Sequence, residues 1–162
     1  MRSDYFISLL IFFPVLVIQT TIVPLISLSG VVPDLILIVL VYYSIRNGQI
    51  YGAVAGFVFG LFFDLITGSL LGSAMLSKTF VGFIAGYFSN ENKREIYLHS
   101  YPFILIVLLC SIIDSIVYAF FSDTDFNRNV LLLFFEQGML PGLFTAVVSL
   151  LVMIFAPKRR FG

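Results

Sequence analysis

The chain predicts an all-α integral membrane protein with six transmembrane helices, and three observations carry that prediction. Hydrophobic residues make up 60% of the 162 positions and charged residues only 11%, against about 25% charged in soluble domains. Apolar runs of roughly spanning length recur six times, with short polar stretches between them. The basic residues gather on one side of those runs. A chain of this size cannot hide so much apolar surface in its own core, so its solvent is lipid. The formal net charge is zero, which gives no bulk attraction to nucleic acid. Cys110 is the single cysteine, so an internal disulfide is excluded.

The segments are 5–26, 31–46, 48–66, 70–88, 100–121 and 129–155, and together they form one polytopic membrane domain over 1–162. The first follows a short polar start, "MRSD". It resembles the apolar stretch of a signal peptide, but Pro14 and Gln19 interrupt it and no small-residue cleavage site follows, so it reads as a retained span. The second, between Gly30 and Arg46, is the shortest. At 1.5 Å per residue it reaches only about 22–24 Å, so it either crosses a thinned bilayer or is re-entrant. Pro33 and Asp34 open it, as a first-turn proline and a carboxylate facing the positive end of the helix dipole. The third and fourth are rich in glycine. The sixth contains "EQGMLPG" (136–142), where Pro141 either kinks a long helix or separates a surface helix over 129–137 from a straight span.

Charge placement favours six crossings. With the N-terminus cytoplasmic, Arg2, Arg46, Lys93, Arg94, Lys158, Arg159 and Arg160 all lie inside and only Arg128 lies outside. A re-entrant second segment, with the N-terminus outside and five crossings, gives a weaker asymmetry. Both termini are therefore expected in the cytoplasm.

Gly48, Gly52, Gly56 and Gly60 recur every fourth residue and lead to Asp64. That spacing keeps them on nearly one helix face, and glycine there lets another backbone approach closely. Gly82 and Gly86 repeat the step on the fourth segment. The stripe is either packing within the bundle or a groove for a partner helix. Asp64 continues it and so faces protein, near the external end of its helix. Gln19, Lys78, Asp114 and Glu136 each fall about seven or eight residues from an external helix end, about 10–12 Å below the outer boundary. Ser111, Asp114, Ser115, Tyr118 and Ser122 share one face of the fifth helix. These residues predict a polar chamber in the outer half of the bundle, with Lys78 as its one fixed cation and Asp114 as the favoured partner, Glu136 next. It is either a structural ion pair or a contact for a ligand or partner.

The chain has no phosphate-binding glycine loop, no Cys/His ligand cluster and no Ser/His/Asp arrangement. The single histidine, His99, falls in a polar loop. No catalytic activity, metal or cofactor is expected.

The stretches "IQTTIVP" (18–24), "GVVPDLILIVLVYYSIRNG" (30–48), "GFVFGLFFDLITGSLLG" (56–72) and "VGFIAGY" (81–87) together resemble the bacterial rod shape-determining protein MreD family. The likeness is carried by about residues 15–90, in the Pro33–Asp34 pair, Arg46 with Gly48, and the string Gly56, Gly60, Asp64, Gly68, Gly72. The last two spans agree in length and hydropathy only. The resemblance implies a multi-pass protein of the bacterial inner membrane, without enzyme activity, in the elongation machinery that directs peptidoglycan synthesis. It implies binding to MreC and, through it, association with MreB, RodA and a class B penicillin-binding protein. It also implies a fold similar to the S component of energy-coupling-factor transporters. That likeness raises the alternative of a vitamin-binding S component. S components dock through an Ala-x₃-Ala motif in the first helix, whereas the first alanine here is Ala53.

Overall fold

The structure, a computed structural model, describes residues 2–26, 32–90, 97–98, 101–122 and 140–155. Among these the protein is all helical. The elements are α1 (Arg2–Thr21), a 3-10 turn (Val23–Ile26), α2 (Leu35–Asn47), α3 (Gln49–Thr67), α4 (Ser73–Tyr87), α5 (Tyr101–Ser122) and α6 (Leu140–Phe155). Lys93, Arg94, His99, Arg128, Glu136, Lys158, Arg159 and Arg160 lie outside the described residues. So does the 129–137 surface helix weighed against a kink. Pro141 lies within α6 as described.

The sixfold pattern of helices matches the expected segments with one telling shift. The second segment begins as a helix only at Leu35, four residues late, and α2 has 13 residues, or about 20 Å of rise. It is nonetheless the centre of the bundle. Ile36, Leu37, Ile38, Leu40, Val41, Tyr43, Ser44 and Ile45 are buried, and α2 contacts every other helix. An element apolar all round belongs in an interior. Around it pack Phe12 and Leu16 of α1, Phe59 of α3, Val81 and Ala85 of α4, and Phe103, Ile106 and Val107 of α5. Phe12 and Phe59 stack face to face with centroids 3.8 Å apart, tying α1 to α3.

α3 and α4 form an antiparallel pair in constant register. A Cβ at Gly52 would strike the backbone carbonyl of Gly82, one at Gly56 that of Lys78, and one at Gly60 that of Ala74. Gly82 meets Gly52 in return, and Gly86 meets the backbone of Gly48 and Gln49. The stripe is thus filled by α4 of the same chain and is not open to a second protein. Gly48, whose own Cβ direction is open, has a second role at the end of that stripe. It joins α2 to α3 as a single residue at φ +98°, donating its N–H to the carbonyl of Ser44. The positive φ is what requires glycine there.

The opposite face of α3 is bare. Ile50 is 83% exposed and Val54 60%, with Phe57 and Leu65 also exposed. Leu10 and Val17 of α1, Phe80 and Phe83 of α4, Leu105 and Phe120 of α5, and Val147 of α6 are exposed as well. A water-soluble monomer rarely shows large apolar patches. Gln49–Thr67 and Tyr101–Phe121 are long and apolar enough to cross a membrane; Leu10–Leu25, Leu35–Asn47 and Leu140–Leu150 are shorter apolar stretches.

Candidate functional site

The late start of α2 determines the site. A helix leaves its first backbone N–H groups unpaired, and here those groups are enclosed by protein. Two other helices, α1 and α6, and the cap residue itself supply what they need. From α1, Gln19 donates its amide N–H to the carbonyl of Pro33 and accepts from the N–H of Leu35, both at 2.9 Å. From α6, the Thr145 hydroxyl accepts from the N–H of Asp34 at 3.0 Å while donating to the carbonyl of Pro141. Asp34 is the N-cap, and its Oδ1 accepts from the N–H of Leu37 at 2.9 Å, the usual bond to the third helical residue. Pro33 therefore precedes the cap rather than sitting in the first turn, which corrects the placement expected from sequence. Non-helical backbone at membrane depth is tolerated only when protein satisfies it; Gln19 and Thr145 do so here.

The second oxygen of Asp34 takes the charge. Lys78 of α4 donates to Asp34 Oδ2 at 2.5 Å and to Asp114 Oδ2 of α5 at 3.2 Å. The Lys78 side chain is 3% exposed, that of Asp114 12% and that of Asp34 24%. Lys78 also lies 5.8 Å from the centroid of the Phe63 ring. Gln19, Lys78 and Asp114 thus come together, and the shorter contact of Lys78 is to Asp34, which sequence spacing had assigned only to a helix start. The missed signal was the brevity of the second segment, which lowers its first residues to the depth of Lys78. Thr145 was missed too, because a lone threonine in an apolar helix carries no distinguishing pattern. Ser111 is buried beside Asp114 on α5, while Ser115 and Tyr118 are half-buried.

Asp64 has its own set of partners. Its carboxylate accepts from Ser69 Oγ at 2.7 Å and from the N–H groups of Gly72, Ala74 and Met75 at 2.9, 3.2 and 3.1 Å. These amides open α4, whose N-cap, Gly72, has no side chain to serve them. The helix dipole favours an anion at that end. Asp64 does not reach Lys78 through any hydrogen bond or ion pair; it belongs to the α3–α4 turn, which corrects its grouping with the chamber. Replacing Asp64 by Ala is expected to lower stability by about 1–2 kcal/mol, the range of a lost cap. Asn is expected to cost less, since it keeps one acceptor. Thermal unfolding in detergent separates them; equal melting of the Ala variant and the parent would remove the capping role.

Among the described residues no three His, Cys, Asp or Glu side chains converge to hold a metal. What the cluster does chemically is fasten: one cation and two carboxylates link α2, α4 and α5, while Gln19 and Thr145 add α1 and α6.

The family model described as rod shape-determining protein MreD matches residues 1–159. No curated protein and no solved structure matches the chain at a significant level.

Proposed function

The chain belongs to the rod shape-determining protein MreD family, and from that premise we propose that it is a non-catalytic membrane scaffold of the cell-elongation complex. It has a role in determining rod shape. In this reading it lies in the bacterial inner membrane with six crossings and both termini in the cytoplasm. It binds MreC and, through it, connects MreB, RodA and a class B penicillin-binding protein, supporting peptidoglycan synthesis.

The observation that carries the reading is the family match over nearly the whole chain. The use of the interior polar groups agrees with it. Asp34, Lys78, Gln19, Thr145 and Asp64 are engaged with one another and with helix ends, which suits a scaffold more than a turnover site. The apolar outer faces of α1, α3 and α5 leave several helix surfaces for lipid or a partner helix. The positive-inside pattern of Arg2, Arg46 and the C-terminal basic run supports the orientation.

The test is affinity capture of the tagged chain from its native membrane, with mass spectrometry of what accompanies it. An MreC protein and peptidoglycan-synthesis enzymes are the expected companions. Capture of an ATPase transport module instead, with no cell-wall component, would replace the scaffold by an S-component role.

A further inference from the structure

The ion cluster at the start of α2 is unbalanced. Fully ionised, Asp34, Lys78 and Asp114 sum to one negative charge in an enclosed place, where unpaired charge is costly. The two carboxylates are not equivalent. Asp34 has both oxygens engaged, by the N–H of Leu37 and by Lys78, and it sits at the positive end of a helix dipole. Asp114 has one oxygen engaged, by Lys78 at 3.2 Å. Its Oδ1 is buried and has no hydrogen-bond partner. Among the described residues, the titratable groups facing it from the elements packed against it are Asp34 of α2 and Lys78 of α4; the Ser77 hydroxyl of α4 also lies beside it but donates its proton to the carbonyl of Ala74. Over Leu140–Phe155, α6 brings the hydroxyls of Thr145 and Ser149 but no titratable side chain, and Cys110 lies one turn away on α5. Among the described residues nothing near Oδ1 balances a second anion.

We propose that this cluster is a proton-binding site, holding one exchangeable proton on Oδ1 of Asp114, so that Asp34, Lys78 and Asp114 together are neutral. A bound water or metal ion requires its own volume and several polar partners, and an oxygen with no accessible surface offers neither; a proton needs no such space. In the neutral cluster Asp114 still accepts from Lys78 through Oδ2. Loss of the proton places a second negative charge against Asp34 and loosens α5 from α2 and α4. The site is thereby a proton-linked latch on helix packing. This stands whether or not the chain binds the partners proposed above.

Infrared spectroscopy of the purified chain in lipid, in H₂O and in D₂O, tests it. The expected result is a protonated-carboxyl C=O stretch that shifts in D₂O and is missing from Asp114→Asn. Asparagine mimics the neutral acid, so Asp114→Asn is expected to melt with the parent, while Asp34→Asn melts lower because Asp114 must then take the charge. A parent spectrum with no such band that Asp114→Asn removes would overturn the proposal. So would an Asp114→Asn protein that melts as low as Asp34→Asn, or that fails to fold when Asp34→Asn folds.

Discussion

Replacement of Lys78 by Met is expected to destabilise the protein by about 3–5 kcal/mol, the range for breaking a buried ion pair by removing one partner. The loss comes less from the attraction given up than from the Asp34 carboxylate left enclosed without its cation. Adding Asp34→Asn to Lys78→Met is therefore expected to restore most of that stability. Asparagine keeps an oxygen able to accept from the N–H of Leu37 and is itself a favoured N-cap, so the helix start survives while the stranded charge is removed. Adding Asp114→Asn to Lys78→Met is expected to restore much less, because the 2.5 Å contact is to Asp34 and the 3.2 Å contact is to Asp114. A double-mutant cycle by thermal or denaturant unfolding in detergent measures both couplings. Additive losses for Lys78 and Asp34 would show that the two side chains do not depend on each other.

The second large effect lies in the α3–α4 pair. Alanine at Gly52, Gly56 or Gly60 is expected to cost about 1–3 kcal/mol or more, as overpacking does in a filled interior. The reason is the identity of what the new methyl meets. At these positions it is the backbone of Gly82, Lys78 or Ala74, which cannot rotate aside, so the helices must separate along their length. At Gly142 a Cβ would come within 3.3 Å of Ile112 Cγ1, a side-chain atom that can shift, and Gly142→Ala is expected to cost far less. Gly56→Ala is also expected to reduce capture of the proposed partner, MreC, in proportion to lost folded protein. A variant that melts with the parent but no longer captures MreC would instead make the stripe a docking surface.

These two expectations couple to one another through α4. Lys78 supplies its side chain to the ion cluster and its backbone carbonyl to the contact with Gly56. Separating α3 from α4 therefore moves the ammonium relative to Asp34. Damage at the glycine stripe and at the ion cluster is expected to be non-additive, as neighbouring sites are.

Much of this protein was legible without coordinates because lipid imposes a coarse rule. A backbone surrounded by hydrocarbon must satisfy its own hydrogen bonds, so apolar runs of sufficient length declare themselves as helices. Four-residue glycine spacing declares a face made for close packing. The depth of Lys78 and Asp114, counted from the helix ends, placed them level with each other. The family resemblance rested on residues in the first four segments, and the family match covers nearly the whole chain.

What could not be read was partnership. Spacing along one helix gives a face and a depth but not the neighbour across it, so the glycine stripe favoured packing within the bundle over a partner groove without saying which helix fills it. Asp64, four residues beyond Gly60, shared the face of the stripe, yet its acceptors are used on the α4 start. Asp34 looked like a local cap and is also the nearer counter-ion of Lys78, 44 positions away. Composition and periodicity alone thus determined a helical, lipid-facing chain with a buried polar level. Only the tertiary structure decided which charges meet, because that depends on where the short α2 begins and which helices close around its unpaired amides. That is a property of the assembled bundle and of no single segment.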